Sequence, residues 1–97
     1  GQNATEIMTS LDVRADPYRT IFVKTTTNYD IFVQVSDDDG DDPIWCDLTT
    51  LVSGVATKLT IACNNTTIAV PVFAKAIQLR ILAKNNGAAS TPYIGVI

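Results

Sequence analysis

The sequence predicts an all-β fold: a small antiparallel β-sandwich of about eight short strands, jelly-roll-like or immunoglobulin-like. Three observations carry this. Apolar residues recur with period two along most of the chain, which is the rhythm of extended segments that bury one face. Most such stretches end at Asn, Asp, Gly, Ser or Pro, the residues that turns demand. A length of 97 residues, 46% hydrophobic and 18% charged, suits one folded domain, residues 1–97, with little room for a second core.

Glu6 to Val13 opens the series, with Ile7, Thr9, Leu11 and Val13 on one face and Met8, Ser10 and Asp12 on the other. Arg14-Ala15-Asp16-Pro17 then turns the chain. Tyr18 to Thr25 places Ile21 and Val23 inward, and Asp30 to Ser36 places Ile31, Val33 and Val35 inward. The polar Thr26-Thr27-Asn28 link between them predicts a hairpin. After the acidic stretch Asp37 to Asp42 come a short apolar segment, Ile44 to Leu48, and Leu51-Val52 before a Ser53-Gly54 turn. Val55 to Cys63 alternates most cleanly and predicts one strand with Val55, Thr57, Leu59, Ile61 and Cys63 on a common face.

Asn64-Asn65 closes that strand, and Thr66 to Val72 follows with Ile68, Val70 and Val72 alternating. Pro71 has no amide to give a ladder, which predicts a sheet edge or a bend. Phe73 to Lys84 is rich in helix formers, yet Ile77, Leu79, Ile81 and Ala83 alternate with Gln78, Arg80, Leu82 and Lys84. Arg80 would also fall near the apolar stripe of any helix, so a strand is favoured. Asn85-Asn86-Gly87 predicts a tight turn of positive φ, and Tyr93 to Ile97 a last strand.

Composition narrows the function classes. A net charge of −3, with seven Lys and Arg against ten Asp and Glu, offers no basic patch for nucleic acid. No apolar run approaches the roughly 20 residues needed to span a bilayer, so no membrane span is expected in this chain. No charged-then-apolar leader opens it, and Gly1 in first place fits either processing or a cloning remnant. Histidine is absent, which removes the commonest general base and zinc ligand together. The carboxylates cluster in one loop and do not face each other across a cleft. The expectation is a protein that is not an enzyme.

Asp37-Asp38-Asp39-Gly40-Asp41-Asp42 is the most chemically suggestive segment, because calcium takes several oxygens from a flexible turn. Asp37, Asp39 and Asp41 are the candidate ligands. Aligned with an EF-hand, however, they put Asp42 where the glycine belongs and Leu48 where the bidentate Glu belongs. The loop is therefore either a calcium site or a solvated acidic turn. Cys46 and Cys63 lie in separate strand candidates and are either a disulfide or two buried thiols. Asn3, Asn64 and Asn65 each head a glycosylation sequon. Trp45 and Tyr93 are candidates to stack on a sugar or are core aromatics. Phe22, Phe32, Leu82 and Ile94 fall opposite their strands' main apolar set, so they either reflect imperfect alternation or contact neighbouring subunits.

Val35-Ser36-Asp37-Asp38-Asp39-Gly40, followed by Trp45-Cys46-Asp47-Leu48, resembles the V-S-x-D-G-x-x-W-x-x-L hairpin of β-sandwich modules in phage and archaeal-virus structural proteins and in discoidin-like surface domains. Ala74-Lys75-Ala76-Ile77-Gln78-Leu79-Arg80-Ile81 is similar to the A-K-x-V-R-L-R-V strand that follows in such modules. The likeness runs from Val35 to Ile81. It implies a structural subunit of a virion or an extracellular surface assembly, partnered by itself or by other coat proteins through apolar strand faces and edges. The alternative is a monomeric carbohydrate- or surface-ligand-binding module, with calcium as its one conceivable cofactor.

Overall fold

Residues that alternate along the chain become the inner faces of two packed sheets. The computed structural model describes the backbone of residues 5–97 and the side chains from Ser10 onward. Its strands are β1 (Thr5–Asp12), β2 (Tyr18–Lys24), β3 (Asn28–Ser36), β4 (Cys46–Asp47), β5 (Thr49–Val52), β6 (Val55–Lys58), β7 (Thr60–Asn64), β8 (Thr67–Phe73), β9 (Gln78–Asn85) and β10 (Tyr93–Val96). The ambiguous stretch Phe73 to Lys84 is not one strand: Phe73 ends β8, residues 74–77 connect, and the extended strand β9 begins only at Gln78. No helix among the described residues is long and apolar enough to cross a membrane.

One sheet runs β1-β9-β3, with β4 and β7 both pairing with β3; a second runs β10-β2-β8; β5 and β6 pair only with each other. All pairings are antiparallel, and they nest: β1 with β9, β2 with β8, β3 with β7, β5 with β6. The chain is therefore one long hairpin folded over, its first three pairs falling alternately in the two sheets. That wrapping is jelly-roll-like. The core lies between the sheets, built from Ile21 and Val23 of β2, Ile31 and Val33 of β3, Ile61 and Cys63 of β7, and Leu79 and Ile81 of β9. Each large aliphatic side chain buried there stabilises the fold by about 1.5–3 kcal/mol. Pro71 lies in β8, at an edge of the three-stranded sheet, where its missing amide costs least.

Three sequence expectations change. Tyr18 to Thr25 and Asp30 to Ser36 do not pair as a hairpin: β2 and β3 belong to different sheets. Their apolar faces meet across the core, and only strands in opposing layers present such faces to each other. The long alternation Val55 to Cys63 divides at Leu59, with β7 in the large sheet and β6 in the separate hairpin. The Asn85-Asn86-Gly87 turn closes without positive φ. Instead the Gly87 amide donates to Asn85 Oδ1 at 2.8 Å, an Asx turn that carries the chain from one sheet to the other. The β1 to β9 register shifts twice between Glu6 and Leu11.

Candidate functional site

The strand beside β3 is interrupted. Its first part, β4, pairs Asp47 with Gln34, and the Leu48 amide donates to the Val33 carbonyl at 2.9 Å. Its second part, β7, begins at Thr60 opposite Phe32. Between them the chain leaves the sheet as the β5–β6 hairpin, closed at its root by the Leu59 amide donating to the Leu48 carbonyl at 2.9 Å. Ser53 and Gly54 form the tip with φ of 49° and 79°, the two positive values that match a two-residue turn to strand twist.

Every residue of this arm from Thr49 to Lys58 is exposed. Leu51, Val52 and Val55 stand 76%, 55% and 64% exposed. Lys58 is the one charged side chain between Leu48 and Ala74, and it turns back to the body. Its ammonium lies 4.0 Å from the Phe32 ring centroid and 3.8 Å from Asp47 Oδ1. The outer arm is left uncharged. Between the arm's root and β8 runs an open apolar groove of about 340 Å³, lined by Leu48, Thr50 and Leu59 on one side and Pro71, Val72 and Phe73 on the other. Phe73 is half exposed and packs on Tyr18 with centroids 5.0 Å apart.

A second concavity, of about 520 Å³, lies between the acidic loop and the outer face of the larger sheet, bordered by Asp39, Asp41, Asp42, Trp45, Gln78 and Arg80. The Arg80 guanidinium stacks 4.5 Å from the Trp45 ring centroid, while its Nε and Nη2 donate to Gln34 Oε1 at 2.8 and 2.6 Å. The loop is held by one polar contact of its own and by two side chains from outside it. Asp38 Oδ1 accepts from the Gly40 amide at 2.7 Å, Gln78 Nε2 donates to the Asp38 carbonyl at 2.7 Å, and Arg14 reaches Asp39 at 3.5 Å. Arg14 also grips Asp12, and its hydrogen bonds hold that carboxyl below the ordinary carboxylate value.

Comparison of the chain with protein-family models, curated proteins and solved structures gives no match.

The structure scatters the sequence candidates. Asp37, Asp39 and Asp41 are exposed, and no three acidic, Cys or His groups among the described residues come together to hold a metal ion. Cys46 and Cys63 are free thiols. They pair with Val35 and Tyr29, six residues apart along β3, a separation of about 20 Å that no disulfide bridges. Cys46 is exposed; Cys63 is buried, and that burial pushes its thiol up. Asn64 and Asn65 are exposed where β7 ends, and Asn3 lies outside the described residues. Trp45 belongs to the cleft, whereas Tyr93 lies on β10 beneath Lys24, in the other sheet, so no shared stacking platform exists.

Of the outward apolar set, Ile94 pairs with Val23 and packs on the core, so it faces inward. Phe22 is half-buried, next to Gly95 and Ala69. Phe32 and Leu82 are cross-strand partners, and Phe32 is buried on the outer face under Lys58. Strongly exposed apolar side chains stand elsewhere: Leu51, Val52 and Val55 on the arm, and Tyr18, Ile44, Phe73 and Ile97. Alternation missed them because it records which residues share a face, not whether anything covers it. The near absence of charge from Leu48 to Ala74 was the available signal.

Proposed function

We propose that this chain is a non-catalytic structural subunit that associates with copies of itself in a larger assembly, of a virion or an extracellular surface. The projecting β5–β6 arm carries this reading. A two-stranded hairpin is marginal in water by itself, and this one shows Leu51, Val52 and Val55 to solvent on an uncharged tip. Such a patch marks an interaction surface. The virion or surface setting is supported by the likeness of Val35 to Leu48 and Ala74 to Ile81 to viral and surface modules. The jelly-roll wrapping is compatible with it. Sedimentation velocity of the native chain from low to high micromolar concentration tests the proposal. Concentration-dependent association is expected, and a strict monomer throughout overturns it.

A second reading has its own observation, the cleft in which Asp39, Asp41 and Asp42 face Trp45 and Arg80. Aromatic and charged groups around one concavity suit a polar ligand such as a sugar. Trp45 is the sole tryptophan, so its fluorescence during glycan titration reports occupancy directly. A saturable change from a monomeric protein favours the binding module.

A further inference from the structure

Resting on the self-association just proposed, we infer that the partner is a second copy of this chain and that each copy seats its β5–β6 arm in the other's groove beside β8. The nested pairing supplies the first argument. β1·β9 and β3·β7 lie in the larger sheet and β2·β8 in the smaller, so alternation assigns the next pair, β5·β6, to the side of β8. Yet β5 and β6 pair only with each other, and β8 has β2 as its one strand neighbour among the described residues. The position next to β8 is open, apolar, and of the kind that an added strand completes.

The second argument is charge. Arm and groove together form a surface on which Lys58 alone is charged, and Lys58 is engaged with Phe32 and Asp47 at the root. Depletion of charge is the compositional mark of an interface centre, and here both halves of the contact share it. A foreign partner would have to bring a matching apolar strand; a second copy already has one. The third argument is position. Leu48, Thr50 and Leu59 belong to the arm's root and also line the groove, so an arm entering the groove lies against the arm that leaves it. The exchange is then reciprocal about a two-fold axis, which closes the contact into a dimer. Arm and groove together engage about fifteen residues per copy, somewhat fewer than the roughly 20–30 a side of a standard interface. A dimer of modest affinity follows.

The test uses the full chain with Cys46→Ser, so that the exposed native thiol does not interfere. Chains carrying Leu51→Cys at the arm and chains carrying Phe73→Cys at the groove are mixed and treated with a short bismaleimide. The expected product is a dimer joining one Leu51→Cys chain to one Phe73→Cys chain, in excess over both like-with-like dimers. In parallel, Leu51→Asp weakens dimerisation by at least about tenfold with an unchanged circular dichroism spectrum, since Leu51 supports nothing in the monomer. Predominant joining of Leu51→Cys chains to each other means arm-to-arm contact and overturns the inference. So does cross-linking within a monomer of the double variant when the mixed single variants give none, because the arm then folds onto its own β8. Native association that ignores Leu51→Asp also overturns arm exchange while leaving self-association standing. A native chain that stays monomeric at every concentration removes both.

Discussion

β6 and β7 are two halves of one alternating run, Val55 to Cys63, and the structure treats them oppositely. In β7, Ile61 and Cys63 enter the core beside Ile31 and Tyr29 of β3. In β6, Val55 and Thr57 keep the same parity but stay exposed, with only Val52 and Thr50 of β5 opposite them. The chemistry of the two halves hardly differs; what differs is the layer beneath. β7 has the second sheet to pack on, whereas β6 has left the sandwich at Leu59. Alternation specifies an extended ribbon with two unlike faces. What covers the apolar face depends on the topology or on another molecule.

The sharpest way to break this comparison is to truncate one residue in each half. Ile61→Ala removes a buried side chain from a close-packed core and is expected to cost about 2–5 kcal/mol, a large share of the roughly 5–15 kcal/mol of a typical domain. Val55→Ala, on the arm, is expected to change the monomer's stability by no more than about 0.5 kcal/mol. Urea denaturation at a concentration below any association measures both. Equal losses would mean that the arm is part of the folding core.

The turn at the arm's tip supplies a smaller and more local effect. Gly54 has φ of 79° with nothing within 4 Å of where a Cβ would stand, so Gly54→Ala acts through backbone strain alone. That strain is about 1–2 kcal/mol. It is expected to appear as faster hydrogen exchange for the amides of residues 49–58, with the amides of β3 and β9 unchanged, because the arm opens as a unit separate from the body.

Much of the body was legible in the sequence for a physical reason: Ile21, Val23, Ile31, Val33, Leu79 and Ile81 alternate because both sheets need one apolar face, and all are buried. Pro71 announced its edge through its missing donor. Which sheet a strand joins was not legible, as β2 and β3 demonstrate, since a short polar link serves a hairpin or a crossing between layers equally well. The site was read from the wrong signal. Phe32 looks outward by parity and is outward, but Lys58 lies over it, and Ile94 was misassigned because in β10 it is Ile94 and Val96 that pack on the core while Tyr93 and Ile97 are exposed. The cysteines lie in separate strand candidates, which left a disulfide open; both strands prove to neighbour β3, but at opposite ends of it.

Lys58 joins the two halves, so its removal sharpens the comparison at their junction. Lys58→Ala deletes an ammonium over the Phe32 ring and a long ion pair to Asp47. Such exposed contacts contribute about 0.5–1 kcal/mol for the ring and little for the pair in salt. A small loss of monomer stability is expected. The arm, now without any charge, should associate at lower protein concentration, which sedimentation reads independently of the denaturation curve.

Cys63 gives the smallest effect and the one most particular to the buried half. Burial raises its thiol above the ordinary value of 9.0, with the nearby Asp30 adding to the shift. The folded chain therefore holds this proton more tightly than the unfolded chain does. By linkage, the contribution to stability is fully present below pH 9 and is lost as pH rises through the unfolded thiol's value toward the folded one. Other groups titrate in the same range, so the informative quantity is the difference between the native chain and Cys63→Ala, which should narrow above pH 9. A thiol reagent should modify Cys46 at once in the folded protein and reach Cys63 only at the rate of opening. Prompt modification of both would show that β7 is no better covered than β6, and the distinction between the halves would be lost.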